Sequence, residues 1–371
     1  MAHMTAFDSD VYTERRKQAA ELVTQRGLGG LVIGTGAEFA YLTGSWTSSH
    51  ERLTALVIAP GGTTVVAPVT DIQSLGLDGA ADVEVIGWRD GENPYKLVAD
   101  AIEDGTVGLG SSLTADHVFV LQALLPATEL ASGAVAELFM VKDDEEIAEL
   151  AKAGTAIDRV HERAADLLQP GRTEREIADE LHELILQEHA NVQFVIVGSG
   201  PNGSNPHHDF SDRVLEEGDP VVVDLGGALP SGYQSDCTRT HVVGDAAKAP
   251  KDFLEAYAVL ERAFDAACAA AKPGITAGEL DAAARKVIAD AGYGEYFTHR
   301  LGHGIGLSGH EQPFIIAGSD VVLREGMAFS IEPGIYVPGK WGMRIEDIVR
   351  MTASGIEPLN HTRRTLGGDD A

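Results

Sequence analysis

Two stretches of this chain repeat one another, and the repeat restricts the possible folds more than any single motif. Gln169-Pro170-Gly171-Arg172-Thr173-Glu174-Arg175-Glu176-Ile177 is echoed by Lys272-Pro273-Gly274-Ile275-Thr276-Ala277-Gly278-Glu279-Leu280. In each, Pro-Gly ends one helix. A Thr N-cap with Glu three residues later opens the next, which is the capping-box pattern. Capping boxes are common, so this pattern alone decides little. Its surroundings decide more. Each copy has a long helix before it and a shorter one after it, then β-rich sequence bearing two acids: Asp224 and Asp236 in the first, Glu332 and Glu346 in the second. The expected result is two helix–helix–sheet halves whose acids meet where the halves join.

The sequence ahead of this repeat reads differently. A helix is expected from about Asp8 to Gln25, then a strand over Leu28–Ile33, and a hairpin of Thr54–Ala59 and Thr63–Ala67 around Pro60-Gly61-Gly62. Val83–Ile86 and Val107–Leu109 follow as strands, with helices near Pro94–Ile102 and Thr114–Leu124. Alternating strands and helices imply an α/β domain with a largely buried sheet. Phe139-Met140-Val141-Lys142-Asp143-Asp144 marks its end, and a long helix from about Asp143 to Leu168 opens the next domain. The fold class is therefore α/β (α+β), with domains at 5–141 and 142–371. Met1-Ala2-His3-Met4 resembles an expression-vector scar and is set aside.

Composition narrows the function classes. Twenty-eight basic against 57 acidic residues give a formal charge of −29, which repels phosphate backbones and argues against nucleic acid as a partner. Apolar runs such as Val221-Val222-Val223 are far too short to span a bilayer, so no membrane is expected either. Two cysteines, Cys237 and Cys268, have no spacing for a disulfide framework or thiolate metal site. A cytoplasmic location fits that usage.

The acids of the duplicated domain stand where core strands would carry apolar residues. Asp224 follows Val221-Val222-Val223, and Asp236 begins the alternating stretch Asp236-Cys237-Thr238-Arg239-Thr240. Strand pleating puts Asp236, Thr238 and Thr240 on one face, and a hairpin between the two strands would let Asp224 and Asp236 converge. In the second half, His303 sits in Gly302-His303-Gly304, Glu332 precedes Pro333-Gly334, and alternation puts Arg344, Glu346 and Ile348 on one face with Asp347 on the other. Four carboxylates within about 4 Å would repel by roughly 4 kcal/mol per pair at an effective dielectric of 20. They need cations, and two divalent ions balance four charges. An oxygen-rich set with one imidazole suits manganese, iron or cobalt better than a closed thiolate zinc site.

With these motifs in place, the chain resembles the pita-bread metallopeptidases, within them the aminopeptidase P and prolidase (Xaa-Pro peptidase) group. The resemblance covers nearly the whole chain and implies a creatinase-type N-terminal domain followed by a pseudo-two-fold pita-bread catalytic domain. It implies metal ligands at Asp224, Asp236, His303, Glu332 and Glu346, with Asp236 and Glu346 bridging two divalent ions. Manganese is the first choice, with cobalt, iron or zinc as alternatives. It further implies substrate-side histidines at His207, preferred over His208 by its spacing to Asp224, and at His310, with Arg344 supporting the ligand network or the substrate.

The chemistry that follows is hydrolysis of an Xaa-Pro bond in a dipeptide or short peptide by hydroxide bridging the two ions. His207 and His310 would stabilise the tetrahedral intermediate, and Glu332 would pass a proton to the leaving nitrogen. Alternatives on the same fold are a metal-dependent hydrolase of another small amide, a metal-free creatinase-like hydrolase and a non-catalytic binding module. The last two predict a lost ligand set, whereas all five positions are filled. Methionine aminopeptidase shares the ligands but not the large N-terminal domain. The resemblance also implies a homodimer, in which the polar loop Trp46–Arg52 could face a neighbouring active site.

Overall fold

Capping interactions divide the duplicated region as its sequence requires. The computed structural model describes residues 7–49, 51–364 and 366. It separates into two units, through Phe139 and from Met140. Met1–Met4 and His50 lie outside the described residues.

The first unit contains α1 (Ser9–Gln25), β1 (Leu28–Gly34), α2 (Ala37–Thr43), β2 (Ala55–Ala59), β3 (Gly62–Pro68) and β4 (Val83–Trp88). It continues with α3 (Pro94–Asp100), β5 (Thr106–Leu109), α4 (Ala115–Leu124), β6 (Ala127–Leu130) and α5 (Ser132–Met140). The strands form one six-stranded sheet in the order β4-β3-β2-β1-β5-β6. The β1–β2 and β2–β3 pairs are antiparallel and the outer pairs parallel. Val32, Val57, Val66, Val107 and Leu109 form part of a core that also takes in Val98 and Leu121 from the helices. Three elements of this unit were not expected from the sequence: α2, closed by Gly44 at φ 76, the short edge strand β6 and the helix α5. In the Trp46–Arg52 loop, Arg52 is engaged by Asp90 at 2.5 Å and lies over the Trp88 ring.

The second unit opens with α6 (Asp144–Leu167) and α7 (Glu174–Glu188), followed by the sheet β7 (Asn191–Ser199), β8 (Pro220–Ala228) and β9 (Cys237–Val242). Next come α8 (Lys251–Ala270), α9 (Ala277–Asp290), β10 (Gly302–Gly304), β11 (Glu311–Ile315) and β12 (Ala328–Ile331). The remaining strands are β13 (Gly334–Val337), β14 (Trp341–Arg344), β15 (Asp347–Thr352) and β16 (Gly355–Pro358). They form a five-stranded sheet β11-β10-β12-β15-β16 and a hairpin of β13 and β14.

The duplication extends to individual hydrogen bonds. Thr173 and Thr276 both form complete capping boxes, with Glu176 and Glu279. Gly171 and Gly274, both in the left-handed region, donate to Leu215 O and Leu323 O respectively. Thr173 bridges to Val214 just as Thr276 bridges to Val322.

One expectation needs correction. Met343–Val349 is not a single strand: the chain leaves β14 at Arg344 and enters a different sheet at Asp347. Glu346 sits in the crossover, with its backbone N–H on Thr238 O at 3.2 Å. A sheet change, rather than pleat alternation, brings Arg344 and Glu346 to the same side.

Candidate metal centre

β8 places its acid by register. Asp224 lies opposite Ile196 of β7 and Thr238 of β9. Asp236 immediately precedes β9, two residues from Thr238 and so on the same face. On the other side, His303 is the centre of β10, and the glycines around it are a steric necessity. A Cβ at Gly302 would lie 1.9 Å from Ser330 O, and one at Gly304 would lie 2.2 Å from Gln312 O. Strands β11 and β12 thus approach β10 backbone to backbone from its two sides, and only His303 of β10 carries a side chain. Glu332 follows the last residue of β12.

These elements surround a cavity of about 560 Å³ lined by Asp224, Asp236, His303, Glu332, Glu346, His207, His310 and Arg344. Candidate ligand atoms within 4.8 Å of one another form three groups: Asp224 with Asp236 and Glu346, His303 with Glu332 and Glu346, and Asp236 with His303 and His310. His303 Nδ1 is 3.0 Å from Gly304 O, a carbonyl that can only accept. The proton is therefore on Nδ1, and Nε2 points toward Glu332 at 3.2 Å and Asp236 at 3.6 Å. This carbonyl-fixed tautomer is the arrangement typical of a metal-binding imidazole. Ser330 Oγ donates to Glu332 and accepts from His303 N. Thr238 Oγ1 donates to Glu346 at 2.7 Å.

Arg344 ties the two halves together. Its guanidinium donates to Asp224 Oδ2 at 2.5 Å, Thr238 Oγ1 at 2.9 Å and Tyr336 Oη at 2.7 Å. Thr240 Oγ1 in turn donates to Arg344 O.

The electrostatics match a site meant for cations. Burial, then the neighbouring Asp224 charge, pushes Asp236 well above the usual carboxylate range. Burial and the charges of Asp236, Glu332 and Asp224 do the same to Glu346. Burial also pushes Glu332 upward, but hydrogen bonding and charge from His303 outweigh it and hold that carboxyl low. Asp224 Oδ1 is buried without a hydrogen-bond partner among the described residues. A buried carboxylate oxygen left bare beside two crowded acids is the state a divalent ion relieves. The residues therefore fit such a group.

The structure separates the adjacent histidines and adds lining residues that the sequence reading did not name. His207 lines the cavity, whereas His208 turns away to Glu174 at 2.9 Å. Phe194, Ile196, Asp209, His299 and Arg300 also line it. His299 donates through Nδ1 to Arg300 O, so its Nε2 accepts from Tyr336 Oη. His310, lowered to about 4 by burial and the nearby His303, accepts at Nδ1 from Arg300 at 3.3 Å. Its proton is then on Nε2. Only His299 could have been suspected from sequence, as a further histidine four residues before His303.

Comparison with known proteins supplies the context for this geometry. Residues 148–353 match metallopeptidase family M24, and residues 15–141 match the creatinase/prolidase N-terminal domain. The chain belongs to metallopeptidase family M24. It has that family's fold, a creatinase-type N-terminal domain followed by a pita-bread catalytic domain, and it is a hydrolase with candidate metal-binding acids and histidine. It is 49% identical to the probable dipeptidase PepE of Mycobacterium tuberculosis, over 97% of each chain. It is 37% identical to the Xaa-Pro dipeptidase of Lactobacillus delbrueckii subsp. lactis, over 92% of this chain and 95% of the relative. The crystal structure of dipeptidase PepE from Mycobacterium ulcerans matches with a TM-score of 0.93 at 49% identity, covering 97% of this chain and 98% of that one. No helix among the described residues is long and apolar enough to cross a membrane.

Proposed function

We propose that this chain is a dinuclear metal-dependent Xaa-Pro peptidase, acting on dipeptides or short peptides with proline in second position. The observation that carries the reading is the convergence of Asp224, Asp236, His303, Glu332 and Glu346 on one cavity, with Asp224 Oδ1 bare. Among the carboxylates only Asp236 and Glu346 belong to two of the donor groups, which supports both as the acids that two ions would share. Asp224 would complete the ligands of one ion, and His303 with Glu332 those of the other. Manganese is the first choice for an oxygen-rich set, with cobalt, iron or zinc as alternatives. The name of the Lactobacillus relative supports the substrate class.

When bound, the ions supply a hydroxide nucleophile near neutral pH and polarise the scissile carbonyl. The remaining steps belong to the chain. Neutral His310 donates from Nε2 to the oxyanion of the tetrahedral intermediate, with Arg300 fixing its tautomer. His207, which lines the same cavity, donates a second hydrogen bond to that oxyanion. Glu332 passes a proton to the proline nitrogen, which leaves poorly until protonated. Arg344 holds Asp224 by Oδ2 and leaves its second oxygen free for metal.

The chain is further proposed to be a cytoplasmic homodimer whose Trp46–Arg52 loop reaches a neighbouring active site. The domain boundary is taken at 141/142, supported by the N-terminal family match ending at 141.

The test is a metal-stripped enzyme reloaded with manganese, cobalt, zinc or iron and assayed on Ala-Pro, Ala-Pro-Ala and Ala-Ala. Cleavage of Ala-Pro alone identifies a dipeptidase, and cleavage of Ala-Pro-Ala an aminopeptidase P. Metal-loaded protein that cleaves neither overturns the reading, as does near-normal turnover in Asp236→Ala or Glu346→Ala.

A further inference from the structure

Strand β7 forms one wall of the catalytic cavity. Phe194 and Ile196 are two residues apart, so both side chains leave the same face, and both line the cavity. Ile196 lies opposite Asp224 in the strand pairing, and Phe194 lies opposite Gly226. The Phe194 ring rests on that glycine, where a Cβ would come within 2.3 Å of it. The result is a fixed apolar wall beside the candidate metal ligands.

The chain returns past this wall just after His207. Val197 N–H donates to Asp209 O at 2.7 Å, which sets Asp209 beside the strand, one residue along from Ile196. Asp209 lines the cavity too, and of the acids that line it Asp209 alone stands outside the candidate ligand set. It is exposed, and its carboxylate forms no hydrogen bond or ion pair among the described residues. The charged residues near it in the chain are engaged elsewhere. His208 bonds Glu174 at 2.9 Å, Arg175 bonds Asp212 at 2.6 Å, and Arg213 pairs with Asp219. Of the two lining arginines, Arg344 serves Asp224, Thr238 and Tyr336. Arg300 lies over the Phe314 ring and donates to His310.

An apolar wall with an unpaired carboxylate beside it matches one kind of side chain, an aliphatic stem with a cationic tip. Proline's ring carries no charge, so in an Xaa-Pro substrate only the first side chain can supply that match. An acidic first residue would instead set like charges together.

We propose that Asp209 is a specificity-determining residue that favours substrates beginning with lysine or arginine. The stem of that side chain lies along Phe194 and Ile196, and its cation pairs with the Asp209 carboxylate. This inference rests on the Xaa-Pro peptidase reading and names the Xaa that the site prefers. Asp209 is exposed, so water screens the pair, and its effect on kcat/KM is about threefold.

Steady-state hydrolysis of Lys-Pro and norleucyl-Pro by the metal-loaded enzyme tests it. The two dipeptides share the α-ammonium, the straight-chain stem and the scissile bond, and differ only in the ε-ammonium. Asp209→Asn is expected to lower the ratio of kcat/KM for Lys-Pro to that for norleucyl-Pro about threefold. Asp209→Lys is expected to lower it further, because it opposes one cation with another. The Asp209 side chain holds no other residue in place, so both variants keep the fold. A ratio that is the same in wild type and both variants overturns the proposal. That includes the case in which both dipeptides weaken together, which would assign Asp209 to the shared α-ammonium. Cleavage of neither dipeptide by metal-loaded wild type overturns the peptidase reading itself, and this inference falls with it.

Discussion

Glu174 offers a sharp test of how the His207 loop is held. Its side chain is fully buried in the first turn of α7, and it accepts a ring of hydrogen bonds from the segment that follows β7. Ser199 donates from N at 2.7 Å and Oγ at 2.6 Å, and Ser211 from N at 2.9 Å and Oγ at 2.7 Å. Asn202 Nδ2 at 3.0 Å and His208 Nε2 at 2.9 Å complete the ring. One carboxylate therefore clamps both ends of the loop and the residue beside His207. Glu174→Gln keeps the shape but points an amide N–H₂ at donors. The serine hydroxyls can rotate, whereas a backbone N–H and the His208 ring are left without an acceptor. Each buried unsatisfied donor costs about 1–3 kcal/mol, so a loss of about 3 kcal/mol is expected. For a unit of this size that lowers the melting temperature by roughly 6–12 °C.

The pH dependence carries a sign. Burial raises the Glu174 carboxyl, but hydrogen bonds from Ser199, Ser211 and His208 outweigh it and leave it below the model-peptide value of 4.5. Its contribution is then fully present above that value and lost as pH falls through the lower folded one. Calorimetry of wild type and Glu174→Gln from pH 7 to pH 3 should show a gap that narrows below about 4.5. Melting temperatures within about 2 °C of each other at pH 7, with turnover unchanged, would refute the clamp.

Further outcomes are expected. His161 is held neutral, displaced from 6.5 to about 3, so its protonation in the unfolded chain costs stability progressively as pH drops from 6.5 toward 3. The displacement corresponds to at most about 5 kcal/mol, and His161→Phe should flatten that acid limb in urea titrations. Arg344→Lys should lose at least about tenfold in kcat/KM, because a point charge cannot serve Asp224, Thr238 and Tyr336 together. Activity equal to wild type would show that the fork is dispensable. Chelation should abolish hydrolysis and lower the melting temperature, with metal at about 100 times its Kd contributing about 2.7 kcal/mol. An unchanged melting curve after verified metal removal would separate metal binding from stability.

Much of this protein is written locally. The capping boxes at Thr173 and Thr276, the helices they open, and the strand around Asp224 depend on neighbours within a few residues, so composition and period reveal them. The ligand candidates stood out for the same reason, since a carboxylate inside a buried strand needs an explanation wherever the strand goes. Residues that act across the fold left no such signal. Glu174 drew no separate reading inside the repeated motif, yet it is Glu176 that caps the helix and Glu174 that turns inward to hold a distant loop. Tyr336 acquires meaning only once β13 and β14 bring its hydroxyl to Arg344 and His299, and Arg300 only once it reaches His310.

The sequence by itself determined that the second domain is duplicated, that each half carries two acids, and that those acids need cations. Only the tertiary structure decided which oxygen of Asp224 is bare and which nitrogen of His303 faces the acids. It also decided that Glu346 reaches the site through a change of sheet rather than along a strand. The physical reason is range: helix caps and pleats are set by bonds between near neighbours, while the bare oxygen of Asp224, the acids that His303 faces and the sheet crossing at Glu346 are set by contacts between distant parts of the chain, such as Arg344 with Asp224.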